Sequence, residues 1–135
     1  MDLDRALDFF STHHHAVLLT RHPDGRAQMS PVLAGVADGH IVISTRETAV
    51  KVHNARRDPQ VSVCAFTDAF FGDWIQVDGT AEIISLPDAM DHLIAYYRDI
   101  SGEHPNWPDY RAAMTRDHRV ILRIRPHHAG PDHHG

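Results

Sequence analysis

Two Asp-Gly pairs set the course of this chain. Asp24-Gly25 and Asp38-Gly39 each fall between apolar, β-branched segments. Asp-Gly supplies the positive φ that a tight hairpin turn needs, and Pro23 presets φ ahead of the first pair. The turns delimit three strands: His15 to Arg21, Arg26 to Ala37, and His40 to Ser44. Pro31 lies inside the second. Proline cannot donate to a ladder, so its position marks an edge, a bulge or an irregularity that faces a ligand.

The same period returns later. Gln60 to Thr67 alternates Val61, Val63 and Ala65, and Trp74 to Ile84 forms a long fifth strand. Gly79 within it predicts a bulge or a close backbone approach. His118 to Ile124 is the sixth strand. Between strands the period changes to that of a helix. Leu3, Ala6, Leu7 and Phe10 share one face, as do Met90, Leu93, Ile94, Tyr97 and Ile100 after Pro87. Pro108 to Arg116 is a shorter helix. Thr45 to Arg57 also reads as a helix, with Glu47 in its first turn, Arg56 and Arg57 in its last, and Pro59 as its stop. Cys64, on the fourth strand, reads as a small core residue.

These elements predict a mainly β fold, a six-stranded antiparallel β-barrel with peripheral helices on its outside and ends. It occupies residues 1–126 as one domain, and a flexible Pro/Gly/His-rich tail follows over 127–135. A chain of 135 residues, 42% hydrophobic, suits a single domain of about 100–150 residues. A lone cysteine excludes an internal disulfide, and the acidic N-terminus lacks the order of a signal peptide, which together predict a cytoplasmic protein. No apolar run reaches the roughly 20 residues that span a bilayer, so no membrane association is expected. A formal net charge of -5 without a basic stripe argues against nucleic acid. The 13 histidines include His13-His14-His15, but consecutive side chains diverge and no zinc-ligand spacing occurs, so no metal is expected.

An anion must then be held locally. Arg46, Lys51, Arg56 and Arg57 fall within a dozen positions, and Lys51 is the only lysine beside 12 arginines. Ser44-Thr45-Arg46-Glu47-Thr48-Ala49-Val50-Lys51 brings hydroxyls, free helix-start amides and two cations to one strand-to-helix junction. Those are the ingredients of a phosphate seat. Spacing alone leaves a solvated basic helix face as an equal reading.

The run Val42-Ile43-Ser44-Thr45…Lys51…Asn54-x-Arg56-Arg57-Asp58-Pro59…Val61-Ser62-Val63, followed by Trp74…Gly79-Thr80-Ala81, resembles the pyridoxamine 5′-phosphate oxidase-like FMN-binding split barrels. The later run Tyr96-Tyr97-Arg98…Gly102-Glu103-His104…Trp107…Asp109-Tyr110-Arg111…Met114…Asp117-x-Arg119-Val120 is similar to the branch that uses the deazaflavin coenzyme F420. The resemblance covers residues 5–125 and implies a split barrel and a homodimer with the cofactor at the subunit interface. It implies hydride transfer between F420 and a small unsaturated or heteroaromatic substrate, chemistry that belongs to the cofactor. FMN, in an oxidase or flavin reductase, is the alternative cofactor; a non-catalytic F420- or flavin-binding protein is a third reading.

Carried over by position, the resemblance puts Lys51 on the cofactor phosphate, with Ser44, Thr45 and Val50 lining the same pocket and Arg46, Asn54 and Arg57 in support. It sets the backbone of Gln28-Met29-Ser30-Pro31-Val32 against the ring, and Trp74 at the ring's border, from the partner subunit. Relatives often carry a basic residue two positions before the lysine, where this chain has Ala49. The proton donor and other catalytic side chains are left open.

Overall fold

The computed structural model describes residues 2–135. In chain order the elements are α1 (Leu3–Thr12), β1 (His15–Arg21), β2 (Ala27–Ala37), β3 (His40–Arg46), α2 (Val50–Arg57), β4 (Gln60–Phe66), β5 (Trp74–Ile84), α3 (Ala89–Ser101), α4 (Trp107–Arg116) and β6 (Arg119–Asp132). The six strands close into an antiparallel barrel in the order β1-β2-β3-β6-β5-β4. The two Asp-Gly turns carry the positive φ expected of them: Gly25 at 87°, Asp38 at 51° and Gly39 at 73°.

Alternation decides which side chains fill the barrel. Leu18, Ile41, Ile43, Val63, Val77, Leu122 and Ile124 point inward and are buried, and Ala6 and Phe10 of α1 join the same core. On the opposite face of β3 and β6, Val42 and Ile121 pack under Ala89 and Leu93 of α3 and Tyr110 of α4. The barrel therefore carries its α3–α4 roof over β3 and β6. The outward residues of β1 and β4, Val17, Leu19 and Cys64, remain only half-buried. Cys64 thus faces out of the barrel and is not a core residue, because its neighbours Val63 and Ala65 hold the inward positions.

Two other expectations fail, each for the same reason. The helix predicted from Thr45 begins only at Val50. β3 instead continues its ladder, pairing Thr45 with Val120 and Arg46 with Arg119, and the Glu47 amide donates to the His118 carbonyl at 2.9 Å. Likewise the chain beyond Pro126 is no fraying tail, since β6 runs on to Asp132. Pro126 lies opposite Gly79, where the register shifts, and Ala129 then pairs with Val77 and is buried. A Cβ on Gly79 would meet the Arg125 carbonyl oxygen at 2.4 Å, so the close approach expected at that glycine is present. In both cases strand pairing overrides the local signal for a helix start or a loop. α1 also runs two residues past the predicted end, to Thr12.

Candidate functional site

The barrel is split between β2 and β3. Their ladder holds only Ala34–Ala37 against His40–Ile43, while β2 pairs with β1 from Ala27 to Leu33. Residues 27–33 of β2 therefore form a free edge on the β3 side. Which groups face that edge follows from the alternation of hydrogen-bonded pairs. The Ala34 amide bonds to the His14 carbonyl and the His22 amide to the Arg26 carbonyl, so even-numbered β2 residues exchange bonds with β1. Odd-numbered residues turn their amides and carbonyls outward to the split. Pro31 is odd-numbered. Its missing N–H costs the β1 ladder nothing, and the edge offers the Met29 amide and the Met29 and Pro31 carbonyls. The Leu33 carbonyl is already taken: the Tyr96 hydroxyl donates to it at 2.7 Å and marks the apex of the split.

Across the split lie the end of β3 and the start of α2. Ser44 and Arg46 point to the outer face of β3, because Thr45 between them points inward and is buried. Arg119 lies directly opposite Arg46 on β6 and shares that face. Ala49 caps α2 with extended backbone and no side-chain hydrogen bond, which leaves the first amides of the helix open to a ligand. Lys51 stands in this first turn, half-buried. Burial holds its ammonium below the ordinary lysine range, and the neighbouring Arg119 guanidinium lowers it further. Among the described residues Lys51 and Arg119 have no carboxylate partner, and Arg119 Nε is buried without a hydrogen bond. Two unpaired cations beside open amides make a seat for an anion.

The other members of the basic cluster are already engaged. Arg56 pairs with Glu47 at 2.6 Å and donates to Ser85 at 3.2 Å. Arg57 donates to the Arg21 carbonyl and, at 3.1 Å, to Asn54 Oδ1. Asn54, 2% exposed, donates in turn to Thr20 Oγ1 at 3.1 Å, and Thr20 donates to Gln28 Oε1 at 2.7 Å. Gln28, Asn54 and Arg57 therefore form an internal chain that pins α2 to β1 and β2. Their side chains hold the seat from behind.

Of the remaining residues expected at a site, Ser44, Arg46, Val50 and Lys51 gather on one side of the split, with Met29 and Pro31 on the other; Met29 and Val50 are 66% and 53% exposed. Ser30 and Val32 turn into the barrel, and Ser30 Oγ is buried with no partner. Trp74 is not brought to Lys51 within the chain: it sits at the start of β5, beside Arg5, Phe9 and His133. The three consecutive histidines diverge as expected. His13 stacks on Phe9 with ring centroids 4.4 Å apart, His14 bonds the Ala34 carbonyl at 2.8 Å, and His15 meets Asp68 at 3.0 Å.

Next to the split, between β3, β6 and the α3–α4 roof, opens a cavity of about 640 Å³. Ser44, Tyr96, Tyr97, Tyr110, Arg116 and Arg119 line it. Sequence reasoning assigned none of these but Ser44 to a pocket. Arg119 is 68 positions beyond Lys51 in the chain, and only the register of β3 against β6 brings the two together. The signal available was the interruption of an apolar strand by an arginine at its first position.

A family model described as pyridoxamine 5′-phosphate oxidase matches residues 3–130. Among solved structures, a conserved hypothetical protein from Mycobacterium tuberculosis is 25% identical, with a TM-score of 0.77 over 96% of this chain and 82% of that one. An F420 reductase is 20% identical, with a TM-score of 0.69 over 91% and 94% of the two chains. A heme storage protein from Vibrio cholerae is 16% identical, with a TM-score of 0.73 over 98% and 96%. The two matches below 25% identity speak for the fold alone.

Proposed function

Since the chain belongs to the pyridoxamine 5′-phosphate oxidase family, we propose that it is an F420-dependent oxidoreductase that moves a hydride between the deazaflavin and a small unsaturated or heteroaromatic substrate. The observation that carries this reading is the pairing of Lys51 and Arg119, two cations without acidic partners, at the open start of α2 beside the free edge of β2. A phosphate fits there. Lys51 and the first α2 amides hold it, Arg46 and Arg119 add positive potential, and Ser44 supplies a hydroxyl. A flat heterocycle with carbonyl and N–H groups along one side fits the backbone of Met29 and Pro31, and Pro31 removes a donor where the ring presents none to accept. When bound, the deazaflavin supplies two-electron hydride chemistry. The protein's part is to orient the ring and keep water from it.

Of the run that resembles the F420 branch, Tyr96, Tyr97, His104, Asp109, Tyr110 and Met114 line the adjoining cavity, and it is the resemblance of this run that favours F420 over FMN. A homodimer completes the proposal. The outward row of Met29, Pro31, Val17, Leu19 and Cys64 leaves an apolar sheet face that no α3–α4 roof covers. The resemblance implies that a second copy on that face would set its Trp74 at the border of the ring. Among the described residues, no helix is long and apolar enough to cross a membrane.

Titration of the protein with F420 and with FMN, followed by fluorescence quenching, tests the cofactor assignment. F420 is expected to bind more tightly. Tighter binding of FMN would transfer the reading to a flavin oxidase or reductase, and binding of neither would refute it. Sedimentation at micromolar concentration tests the dimer, and a monomer there would reject it.

A further inference from the structure

We propose that the cavity beneath the α3–α4 roof is a separate binding site for a flat aromatic carboxylate, an inference that does not depend on the oxidoreductase reading.

The walls are rings. Tyr97 lies 5.1 Å from both Tyr110 and His104, centroid to centroid, and His104 lies 5.5 Å from Tyr110. The hydroxyls of two lining tyrosines are already committed, Tyr110 to the Leu93 carbonyl at 2.9 Å and Tyr96 to the Leu33 carbonyl at 2.7 Å. What these two side chains leave for a ligand is therefore their apolar ring surface. Burial pushes the Tyr110 hydroxyl up to about 12, so it stays neutral and adds no negative charge to the wall. Offset or edge-on packing against such rings selects a planar guest.

The polar end is cationic. Arg119 lines the cavity with a buried Nε that has no partner, and exposed Arg116 stands one helix end away, tied only to half-buried Asp117 at 3.5 Å. Asp109 is the one carboxylate on the wall, and Asn106 holds it from outside with a 2.8 Å hydrogen bond. His104 accepts the Asn106 amide on Nδ1 at 2.9 Å, so its hydrogen is on Nε2 and the ring is a neutral donor. An arginine fork with no acidic partner and an unmet Nε recognises a carboxylate bidentately. A volume of about 640 Å³ accommodates a two-ring compound. Arg119 also links this cavity to the phosphate seat, since its charge acts on Lys51. Arg119 lines the cavity and Lys51 does not, so Arg119 can meet the carboxylate while its charge still adds positive potential at the phosphate seat.

Calorimetric titration of the intact protein with 2-naphthoate and with its neutral isostere 2-naphthamide tests the site. Naphthoate is expected to bind on the order of tenfold more tightly, the worth of one charge-assisted contact. Arg119→Gln should abolish the preference, and Arg116→Gln, on the exposed helix end, should reduce it in a chain whose folding is untouched. Lys51→Ala should leave the preference intact. Saturating F420 should leave naphthoate bound, giving a ternary complex. Equal binding of the acid and the amide overturns the proposal, as does an undiminished preference in both arginine variants. Competition between F420 and naphthoate also overturns it, because the cavity would then belong to the cofactor seat. If naphthoate binds as expected but neither F420 nor FMN binds at all, the cofactor reading falls and the carboxylate site stands.

Discussion

Replacing Lys51 by methionine should move cofactor affinity and protein stability in opposite directions. Methionine keeps the length and apolar stem of lysine and removes only the ammonium. In the ligand-free protein that ammonium is a burden: burial, and then the like charge of Arg119, hold its pKa below the usual 10.5. The sign follows from proton linkage. A base whose folded pKa is lowered binds fewer protons folded than unfolded just below pH 10.5, so stability rises with pH through that window. Below the window, at neutral pH, the charged lysine costs the fold free energy, which Lys51→Met releases. With a phosphate present the balance reverses, because the anion compensates both cations. Losing one charge-assisted contact costs about 1.5–3 kcal/mol, or roughly 10- to 150-fold in Kd. Wild-type affinity should also fall as pH rises through the lowered Lys51 pKa, and the variant should not show that fall. Fluorescence titration with F420 at several pH values, beside calorimetric Tm without ligand, checks all three. An unchanged Kd, or a Tm that falls with the substitution, would refute this account of the Lys51–Arg119 pair.

Three further substitutions probe the frame around the site. Gly79→Ala forces a methyl group to within 2.4 Å of the Arg125 carbonyl oxygen and should destabilise the chain by about 1–3 kcal/mol in urea unfolding, with the midpoint shifted and the slope unchanged. Asn54→Ala breaks the buried bond to Thr20 Oγ1 and removes one of the two acceptors of Arg57, for a loss of about 1–3 kcal/mol in stability; a direct cofactor role would instead appear as weakened F420 binding at temperatures where the variant is fully folded. Tyr110 titrates at about 12 in the fold, above its free value of 10, so the folded chain holds the proton longer. Its contribution is fully present below pH 10 and is lost as pH rises towards 12, and Tyr110→Phe should flatten the decline of Tm over that window.

Most of the barrel was legible because its signals are short-range. Asp-Gly turns and period-two alternation each act over a few residues, and they located all six strands, with β1 and its boundaries unchanged. Gly79 was legible for the same reason, since an interior strand glycine has few other uses. Failures fell where a strand found a distant partner. Residues 45–49 carry a plausible helix start, but β6 had more to offer Thr45 and Arg46 as pairing partners than α2 had as a first turn. Pro126 and its neighbours read as a frayed tail for want of any local clue that Gly79 would stand opposite and make room.

The misplaced helix start had a chemical consequence. A helix over 45–57 puts Thr45 at its open end, among the free amides, whereas a strand sends Ser44 and Thr45 to opposite sides of the sheet. Thr45 was thereby lost to the core and Arg119 gained, since residues opposite each other across β3 and β6 share a face. The basic cluster seen in the sequence is thus not the cluster that exists in space. Arg56 and Arg57 are neutralised or committed by Glu47, Asn54 and the Arg21 carbonyl, and their role is to fix α2. Lys51 and Arg119, far apart in sequence, have no acidic partner among the described residues, in a chain whose net charge is -5. With 18 acidic residues available, a neutralising partner for either cation would be simple to supply by a single substitution. A pair of adjacent cations left without one raises the energy of the empty site, and binding an anion recovers that energy.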